Sequence, residues 1–451
     1  MEDVIVSIST ALGIGAISII RLSGKEAISI TQKIFRGKDL SKVDSHTISY
    51  GHICDGDEVI DEVMVSVMRA PKTYTREDIV EINCHGGIAT TRKILELAVQ
   101  NGARLAEPGE FTKRAFLNGR IDLIEAEGVM DLINSKTEEA RSLALNQING
   151  KTSDLIKQLR LKIVNLVANI EVNIDYPEYE DIEQVTIKMI EKDIKDIKVK
   201  LKKIIEEGEI GKIIKDGIDT VIIGRPNVGK SSLLNRLIDE EKAIVTEIAG
   251  TTRDIVEGQI NLDGIILNII DTAGIRKTSN KIEKIGVKKS LELISKAELI
   301  LYVLSNNEEL NYDDKKILNL IKNKTSIVIV NKIDLKQKLN LDLIDREHLI
   351  FMSTINNKGL DDLKQKIKEL FNLNEIKSKD FTYITNARIL GILKRILIDI
   401  EDIEIGIKQK MPIDIIEIDL KRMWNELGEI IGVTYDEELI DHLFSQFCLG
   451  K

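Results

Sequence analysis

A phosphate-binding loop lies near the middle of this chain of 451 residues. Residues 224–231 match the pattern G-x-x-x-x-G-K-S, in which glycines let backbone N–H groups turn onto a polyphosphate. In that pattern Lys230 reaches the outer phosphates and the Ser231 hydroxyl binds magnesium. The apolar run at 218–223 predicts a strand before the loop, and residues 232–237 begin a helical pattern after it. The sequence therefore predicts a nucleotide-binding α/β fold set inside a longer chain.

Four more polar segments follow the loop, and three of them come directly after an apolar run. They are the polar loop 246–254, Asp-Thr-Ala-Gly at 271–274 after the run 265–270, Asn-Lys-Ile-Asp at 331–334 after 326–330, and Ser353-Thr354 after 349–352. In a doubly wound sheet, ligand residues lie just past the carboxyl ends of the strands. Asp-Thr-Ala-Gly and Asn-Lys-Ile-Asp taken alone are also ordinary turns, but the five segments in this order predict a GTPase.

The chemistry of these segments indicates which nucleotide is bound. Asp271 would hold magnesium through a water molecule, and the Gly274 N–H would contact the γ-phosphate. The Asp334 carboxylate can accept both N1–H and N2–H of guanine, and adenine offers no such pair of donors. The nucleotide is therefore predicted to be GTP. The predicted GTP-binding residues are Asn227, Val228, Gly229, Lys230, Ser231, Ser232, Thr246, Glu247, Ile248, Ala249, Gly250, Thr251, Thr252, Asp271, Thr272, Ala273, Gly274, Asn331, Lys332, Asp334, Ser353 and Thr354.

Two positions differ from a generic small GTPase. Ile275 follows Asp-Thr-Ala-Gly, where Ras-type enzymes keep a glutamine that orients the attacking water. Another group must therefore polarise that water. The side-chain carbonyl of Asn227, with backbone carbonyls of the loop 246–252, could bind a potassium ion beside the β/γ bridge. The alternative is that Asn227 only shapes the turn.

Composition limits the class of protein further. A length prior of about 150 residues per domain suggests about three domains. The chain has 31% charged and only 4% aromatic residues, which is typical of a helix-rich protein without low-complexity tails. No apolar run reaches about 18 residues and the amino terminus lacks a basic segment, so we expect a cytoplasmic protein with no membrane span and no secretory signal.

Charge and cysteine content argue against two other classes. The net charge is −10, so any contact with RNA would need a local basic face. The three cysteines, Cys54, Cys84 and Cys448, lie far apart and show no C-x-x-C spacing. This pattern argues against a disulfide framework and against a zinc ribbon.

Apolar periodicity divides the chain into four segments. Residues 1–118 alternate β-like runs with a short helical pattern, which predicts an α+β domain. The β-like runs are 16–20, 47–50, 63–67 and 78–82, and the helical pattern is 89–98. Residues 119–213 and 375–451 show helical periodicity without a complete core of their own, so we expect them to pack together as one discontinuous helical domain. Residues 214–374 form the inserted nucleotide-binding domain.

Two further features are predicted in the first helical segment. Pro177 predicts a break at 175–179, because proline ends a helix and biases the residue before it away from helical geometry. Isoleucines and a leucine from Ile187 to Ile204 recur at steps of three and four, which is nearly a coiled-coil seam. A glycine-punctuated linker is predicted at 208–217, before the inserted domain.

Motifs spread over the whole chain closely resemble the MnmE family, also called TrmE, the bacterial and organellar tRNA modification GTPases. They lie at residues 15–17, 21–24, 108–112, 226–233, 248–254 and 447–451. The motifs at the two ends of the chain are more specific than those of the GTPase segment. The resemblance implies an α+β amino-terminal folate-binding domain, a discontinuous helical domain and an inserted Ras-like P-loop GTPase domain.

The resemblance also implies an activity, partners and cofactors. Members of the family work with a flavin-dependent partner called MnmG or GidA. Together they install a carboxymethylaminomethyl-type group on carbon 5 of the wobble uridine, U34, of certain tRNAs. The chain would then be a homodimer, paired through its amino-terminal domains and joined to MnmG in a heterotetrameric or larger complex. Its cofactors would be GTP, Mg²⁺, K⁺ and 5-formyltetrahydrofolate or another one-carbon tetrahydrofolate.

Family roles carry over to matching positions in this sequence. Asn227, Thr246, Ile248 and Thr251 resemble the potassium ligands, Ser231 and Thr252 the magnesium ligands, and Arg21, Glu81, Arg120 and Lys451 the folate-binding residues. Cations suit the glutamyl carboxylates of a folate, and a carboxylate suits the pterin N–H groups. Glu283 resembles the acid that orients the attacking water through a bridging water. From the sequence alone it reads as a surface helix residue.

Two alternatives stay open. Cys448 is either a nucleophile toward the uracil ring, or a small buried hydrophobe or partner contact. The rival function is a ribosome-assembly or RNA-binding GTPase that acts as a switch without modification activity. That class would add an RNA module, such as a KH domain with a G-x-x-G loop, after the GTPase domain. Here plain helical patterns and a cysteine-containing tail follow it.

Overall fold

The computed structural model describes residues 3–175, 180–240, 256–270, 287–342, 344–373, 384–435, 437–448 and 450. The chain divides into two compact units. The first comprises Met1–Met130, Gln147–Asp193 and Asp399–Lys451, and the second Asp131–Asn146 and Ile194–Ile398. Each unit contains one of the two β-sheets formed by the described residues. The three domain boundaries expected from the sequence stay predictions.

The first unit begins with an α+β domain. Its elements are β1 (Val4–Ile8), β2 (Ile17–Ser23), α1 (Ala27–Ile34), β3 (Phe35–Gly37), β4 (Thr47–Asp55), β5 (Glu58–Met68), β6 (Ile79–His85), α2 (Ile88–Gln100), β7 (Ala103–Leu105) and α3 (Glu110–Leu117). The strands form one sheet in the order β3-β4-β5-β6-β2-β1-β7, in which only β1 and β7 pair in parallel. The four predicted strands and the predicted helix are confirmed.

Side chains alternate between the two faces of this sheet. Ile20 and Leu22 of β2 are buried in one core with Ile30 of α1 and Ile94 of α2. Arg21, between them in sequence, therefore points to the opposite face. That second face carries the candidate site described below.

Four helices follow, namely α4 (Leu123–Asn134), α5 (Glu138–Ile148), α6 (Lys151–Asp175) and α7 (Glu180–Asp216). The break predicted at 175–179 lies almost wholly outside the described residues, which omit 176–179, and stays a prediction. The linker predicted at 208–217 is wrong, because α7 continues to Asp216. The glycine there serves packing: a Cβ on Gly208 would lie 2.4 Å from Leu390 Cδ2 and 3.1 Å from Ile384 O, so a side chain there would force its neighbours to shift.

The second unit contains the inserted α/β domain. Its elements are β8 (Ile218–Ile223), α8 (Lys230–Glu240), β9 (Val256–Leu262), β10 (Ile265–Ile270), α9 (Val287–Lys296), β11 (Leu299–Ser305), α10 (Tyr312–Ile321), β12 (Ser326–Asn331), β13 (Leu349–Phe351) and α11 (Leu360–Leu370). The strand order is β13-β12-β11-β8-β10-β9, and every pair is parallel except β9 with β10. The strands predicted before the phosphate-binding loop and before three of the polar segments are confirmed.

Helices cover both faces of this sheet. Leu233 of α8 and Leu363 of α11 are buried on one side, and Ile294 of α9 and Ile317 of α10 on the other. Strand β11 is buried along its whole length, as a central strand of a parallel sheet must be. This is the doubly wound arrangement that the sequence predicts.

The chain ends with α12 (Ala387–Lys408), α13 (Ile413–Ile431) and α14 (Glu437–Ser445). Helix α13 packs along α6, which precedes the inserted domain in sequence. The buried residues of this pair recur at helical spacing: Ile156, Leu159, Ile163, Leu166 and Ile170 on α6, and Ile416, Leu420, Met423, Leu427 and Ile430 on α13. The prediction that the two separated helical segments pack together is confirmed.

Among the described residues, no helix is both long and apolar enough to cross a membrane.

Candidate functional site

Two glycines shape the phosphate-binding loop between β8 and α8. Gly224 has a φ of +151° and Gly229 a φ of +106°, values that residues with a side chain rarely adopt. A Cβ on Gly229 would lie 2.1 Å from Asn331 Nδ2, and one on Gly224 would lie 2.3 Å from Val303 O. Backbone alone can therefore line this part of the loop, as a phosphate cradle requires.

Lys230 and Ser231 form the start of α8. Lys230 Nζ donates hydrogen bonds to the carbonyl oxygens of Gly224 at 2.8 Å and Arg225 at 2.7 Å, which holds the ammonium against the loop. The amino terminus of the helix adds a partial positive charge. Ser231 contributes a hydroxyl oxygen, a ligand that suits Mg²⁺. The residues present fit a nucleoside triphosphate with its magnesium ion.

Asn227 lies exposed in the same loop, in the left-handed conformation with a φ of +62°. Asparagine tolerates this conformation better than most residues, so the residue type suits the turn. Its backbone carbonyl accepts a hydrogen bond from Lys332 Nζ at 2.5 Å. Its side-chain amide oxygen has the chemistry of a cation ligand. Both roles expected for Asn227 are compatible with this geometry, and the potassium role stays a prediction.

The predicted guanine-binding residues lie at the end of β12 and just past β12 and β13. Asn331 is buried, donates from Nδ2 to Val228 O at 3.0 Å and accepts at Oδ1 from Thr354 N at 3.3 Å. It therefore ties the phosphate-binding loop to the last segment of the site. Ser353 Oγ donates to Asp334 Oδ1 at 2.6 Å. This bond orients an exposed carboxylate, which is the group that guanine recognition needs.

Sequence reasoning missed the ion pairs of Arg225, which support the phosphate-binding loop. The Arg225 guanidinium pairs with Asp314 Oδ2 at 3.1 Å and with Glu308 Oε2 at 3.0 Å. Asp314 is buried and also accepts a hydrogen bond from Tyr302 OH at 2.7 Å; burial and this bond raise the pKa of Tyr302. In the sequence Asp314 has the pattern of a helix-capping residue, and the structure shows that it caps α10 as well.

Much of the predicted GTP site lies outside the described residues. These positions are Thr246, Glu247, Ile248, Ala249, Gly250, Thr251, Thr252, Asp271, Thr272, Ala273, Gly274 and Glu283. Their roles as magnesium, potassium, nucleotide and water ligands stay predictions. Ser232 is described and lies exposed in the first turn of α8.

A second candidate site lies on the face of the amino-terminal sheet opposite α1 and α2. Arg21 on β2 and Glu81 on β6 are register partners, and Arg21 Nε and Nη2 each lie 2.8 Å from Glu81 Oε1. Arg21 Nη1 donates to Gly450 O at 3.1 Å, so the carboxyl-terminal tail reaches the same place. Gly450 has a φ of +86°, and a Cβ there would lie 2.6 Å from Ile8 O. Lys451, which follows it, lies outside the described residues.

Arg120, the remaining predicted folate-binding residue, stacks on Tyr74. Arg120 Cζ lies 4.7 Å from the centre of the ring, and the Tyr74 hydroxyl lies 3.0 Å from Thr112 Oγ1. Burial raises the pKa of Tyr74, while the Thr112 hydrogen bond and the charges of Arg120 and Arg21 act in the opposite direction. Both arginines therefore lie near one phenol. Sequence reasoning missed Tyr74, which lies in an irregular loop without periodicity.

The cluster of two cations, a carboxylate and an aromatic ring fits a folate. Carboxylates of the glutamyl tail can pair with guanidinium groups, and pterin N–H groups can donate to a carboxylate. Arg21 also lies with its Cζ 5.8 Å from the centre of the Phe111 ring. Phe111 belongs to the motif at 108–112 that carried part of the resemblance, so a signal for it was present in the sequence.

Cys448 lies next to this cluster, and its backbone carbonyl accepts a hydrogen bond from Gly109 N at 3.3 Å. Its thiol is exposed, so the expectation of a small buried hydrophobe is wrong. The hypotheses of a nucleophile and of a partner contact stay predictions. Cys54 and Cys84 are buried and form no disulfide.

The fold and the site together define a class of protein, a multidomain P-loop GTPase whose nucleotide-binding domain interrupts a helical domain. Family models match most of the chain, with the MnmE helical domain over residues 123–448 and the GTP-binding protein TrmE N-terminus over residues 4–120. The tRNA modification GTPases MnmE of Staphylococcus aureus strains MSSA476 and Newman are each 53% identical over 456 aligned residues, which cover 100% of this chain and 99% of each relative. The chain belongs to the MnmE family of tRNA modification GTPases. It is a GTP hydrolase that acts in tRNA modification.

Proposed function

We propose that this chain is a potassium-activated GTPase that works with the flavin-dependent partner MnmG, also called GidA. Together they would add a carboxymethylaminomethyl-type group to carbon 5 of the wobble uridine U34 of certain tRNAs. The observation that carries the proposal is the family likeness along the full chain, both ends included. A ribosome-assembly or RNA-binding switch has no such support, and the described residues after α11 form only helices α12, α13 and α14 as regular elements.

In the GTPase domain, the chain's own residues would bind and orient GTP. Lys230 already lies against the loop and would add contacts to the β- and γ-phosphates. Asp334, oriented by Ser353, would accept the two guanine N–H groups. Ser231 and Thr252 would hold magnesium. The Mg²⁺ ion, when bound, offsets the negative charge that the phosphates carry during hydrolysis.

Hydrolysis also needs a group that orients water, since Ile275 occupies the position of the Ras-type glutamine. Glu283 would serve, through a bridging water. The potassium ligands would be Asn227, Thr246, Ile248 and Thr251. A potassium ion, when bound, supplies the positive charge that an arginine finger supplies in other GTPases. The exposed amide of Asn227, held at the loop in a left-handed conformation, supports this assignment.

In the amino-terminal domain, a one-carbon tetrahydrofolate would bind beside the tail. Arg21, Arg120 and Lys451 would pair with its carboxylates, and Glu81 would accept from the pterin N–H groups. A 5-formyltetrahydrofolate or a related folate, when bound, supplies the one-carbon unit. The convergence of Arg21, Glu81 and the tail on one face of the sheet supports this role. Cys448, exposed in the tail, is a candidate nucleophile toward the uracil ring.

Homodimerisation through the amino-terminal domains is part of the proposal. On the face of the sheet opposite α1 and α2, Ile48 (65%), Tyr50 (61%) and Met64 (47%) of β4 and β5 are exposed. Tyr50 and Met64 are register partners on β4 and β5, so these side chains form a continuous apolar patch. Patches of this kind mark protein interfaces. The dimer would assemble with MnmG in a heterotetrameric or larger complex in the cytoplasm.

Mass spectrometry of wobble nucleosides tests the function. Cells that lack this protein should lose the modified U34, and a plasmid copy of the wild-type chain should restore it. A Glu283→Ala copy should fail to restore it, because GTP hydrolysis would be impaired. Equal levels of modified U34 in cells with and without this protein would refute the proposal.

Steady-state hydrolysis in KCl and in NaCl tests the cation. The wild-type chain should hydrolyse GTP faster in KCl, and Asn227→Ala should lose that stimulation. Asn235→Ala provides a matched control, because Asn235 is an exposed asparagine on α8 outside the loop. Equal rates of the wild-type chain in the two salts would refute the potassium assignment.

A further inference from the structure

A cavity of about 450 Å³ lies within the second unit, away from the phosphate-binding loop. Its walls come from two parts of that unit. One part comes from the helical segments and consists of Asp131, Asn134, Ser135, Lys136, Ala140, Ala144, Lys215, Asp216 and Thr385. The other part comes from the sheet and consists of Gln259 on β9 and Ile266 on β10. The volume is in the range of sites that bind metabolites.

Four charged residues line this cavity, and Lys136 is the one to which the described residues supply no opposite charge, because Asp131 pairs with Lys215 and Asp216 lies near Lys215 and Lys212. Its Nζ donates to Gln259 Oε1 at 2.5 Å, and among the described residues it forms no ion pair. Burial lowers the pKa of Lys136, and no neighbouring carboxylate acts in the opposite direction. An ammonium has three N–H donors, so a neutral amide leaves capacity for a bound anion.

The carboxylate of Asp131 is already occupied. It pairs with Lys215 Nζ at 2.8 Å and accepts a hydrogen bond from Thr385 Oγ1 at 2.9 Å. These bonds satisfy Asp131, and the other lining carboxylate, Asp216, lies near Lys215 and Lys212, so among the described residues neither carboxylate balances Lys136. A half-buried ammonium without a counter-charge favours a negatively charged ligand.

The position of Lys136 is fixed by a hydrogen-bonded chain. Gln259 Nε2 donates to Asn268 Oδ1 at 3.0 Å, and Asn268 Nδ2 donates to Asp219 Oδ1 at 3.1 Å and to Asp216 O at 3.0 Å. Asn268 is itself buried. The acceptor for Lys136 is therefore held in place by two strands, and little ordering would be needed when a ligand binds.

We propose that this cavity binds a small organic anion, a phosphate or carboxylate on an apolar body, with Lys136 as the anchor. The anionic head would take the remaining N–H groups of Lys136. The apolar body would lie against Ala140, Ala144 and Ile266. The ligand would touch α5 on one side and β9 and β10 on the other. The proposal is independent of the potassium and folate assignments.

Isothermal titration calorimetry of the full chain tests this site, with GDP and Mg²⁺ in excess so that the nucleotide site is filled. Phenyl phosphate and benzoate carry the two anionic heads on the same ring, and inorganic phosphate and phenol carry the head and the ring alone. We expect saturable binding at one site per chain for at least one of the two aryl anions. Lys136→Met should weaken it by at least about tenfold, because a charge-assisted hydrogen bond is lost.

Two further variants keep the test decisive. Lys42→Met removes an exposed lysine from another part of the protein and should bind as the wild-type chain does. Lys136→Arg keeps the charge and should retain most of the affinity. No saturable binding of either aryl anion, or equal binding by wild type and Lys136→Met, would overturn the proposal. Inorganic phosphate that binds as tightly as phenyl phosphate would overturn it too and indicate an adventitious ion only.

Discussion

We expect discrimination between guanine and other bases to depend on Asp334. Its carboxylate is exposed and oriented by the Ser353 hydroxyl. Asp334→Asn replaces one acceptor by a donor, so guanine N–H groups would face an N–H group. Because hydrogen bonds to charged groups contribute about 1.5–3 kcal/mol each, we expect the GTP affinity to fall about 100-fold or more. Fluorescent-nucleotide titration measures this change.

Xanthosine triphosphate sharpens that measurement. Xanthine presents a carbonyl where guanine has its amino group, so Asp334→Asn should bind it better than the wild-type chain does. Ser353→Ala is the matched control, because it removes the orienting hydroxyl and keeps the charge. It should cost much less GTP affinity than Asp334→Asn. Equal GTP affinity of Asp334→Asn and the wild-type chain would contradict the role of Asp334.

Glu110 makes the stability of the amino-terminal domain depend on pH. Burial would raise the pKa of Glu110, but hydrogen bonds from Arg104, the Glu107 N–H and Arg114 outweigh it and hold the pKa below its ordinary value of 4.5. The folded state therefore binds this proton less readily than the unfolded state. The resulting stabilisation is present above about pH 4.5 and is lost as the pH falls through the lower, folded-state value.

Glu110→Gln tests this dependence by urea unfolding at several pH values. At neutral pH the variant should be less stable than the wild-type chain, because the buried Arg114 loses one of its carboxylates. That difference should shrink below about pH 4.5. Glu107→Gln, at an exposed neighbouring position, keeps the backbone N–H bond to Glu110 and is the control; at neutral pH it should be as stable as the wild-type chain. A difference that stays constant with pH would contradict the prediction.

The contact between α7 and the segment that begins α12 depends on one glycine. A Cβ on Gly208 would meet Leu390 Cδ2 at 2.4 Å and Ile384 O at 3.1 Å, and both neighbours are buried. Gly208→Ala should therefore destabilise the chain by about 1–3 kcal/mol through overpacking, although alanine is the better helix former. Thermal unfolding of the full chain measures the shift.

Gly391, on α12, provides the opposite case. No atom lies within 4 Å of the position that its Cβ would take. Gly391→Ala should therefore stabilise the chain by about 0.5–1 kcal/mol, because glycine loses more backbone entropy on folding. Unfolding temperatures that shift in the same direction for the two variants would contradict the packing argument.

The same glycine shows what local sequence patterns miss. The apolar series from Ile187 onward predicts α7 correctly, because helical spacing is a local property. Gly208 reads as a linker residue in sequence, and only the approach of Leu390 explains why it lies within a helix. The phosphate-binding loop is predictable for the opposite reason, since its function fixes its glycines in consecutive positions.

Contacts between segments that are distant in sequence could not be predicted from the sequence. The pairing of Arg225 with Asp314, and the stacking of Arg120 on Tyr74, join residues with no shared local pattern. The register between strands of a sheet also joins residues that are distant in sequence, so local patterns do not predict it. The pairing of Arg21 with Glu81 follows from antiparallel β2 and β6, whereas in sequence the two residues only match positions of a known family.

The whole molecule is expected to be a dimer, because the face that carries the folate residues also carries the apolar patch. Along one row of the sheet, Ile48 pairs with Ser66, Ser66 with Glu81, and Glu81 with Arg21. Side chains of a row point to the same face. The apolar residues and the predicted folate residues are therefore contiguous, and a partner chain on this face would adjoin the folate.

Met64→Glu places a charge in the middle of that patch. Met64 has register partners on both sides, Tyr50 and Asn83, so a buried interface would have to desolvate the new carboxylate. We expect the dimer dissociation constant to rise by about 100-fold or more, as measured by sedimentation equilibrium. Ile398→Glu is the control, because Ile398 is an exposed isoleucine on α12 and its replacement should leave the dimer intact.

Folate binding by the same two variants then tests whether the site needs both chains. If the partner chain borders the ligand, Met64→Glu should weaken binding of 5-formyltetrahydrofolate in step with dissociation, and the loss should be smaller at high protein concentration. Ile398→Glu should bind it as the wild-type chain does. A Met64→Glu monomer with unchanged folate affinity would show that Arg21, Glu81 and the tail form a complete site in one chain. A Met64→Glu chain that stays dimeric would place the interface on another face of the molecule.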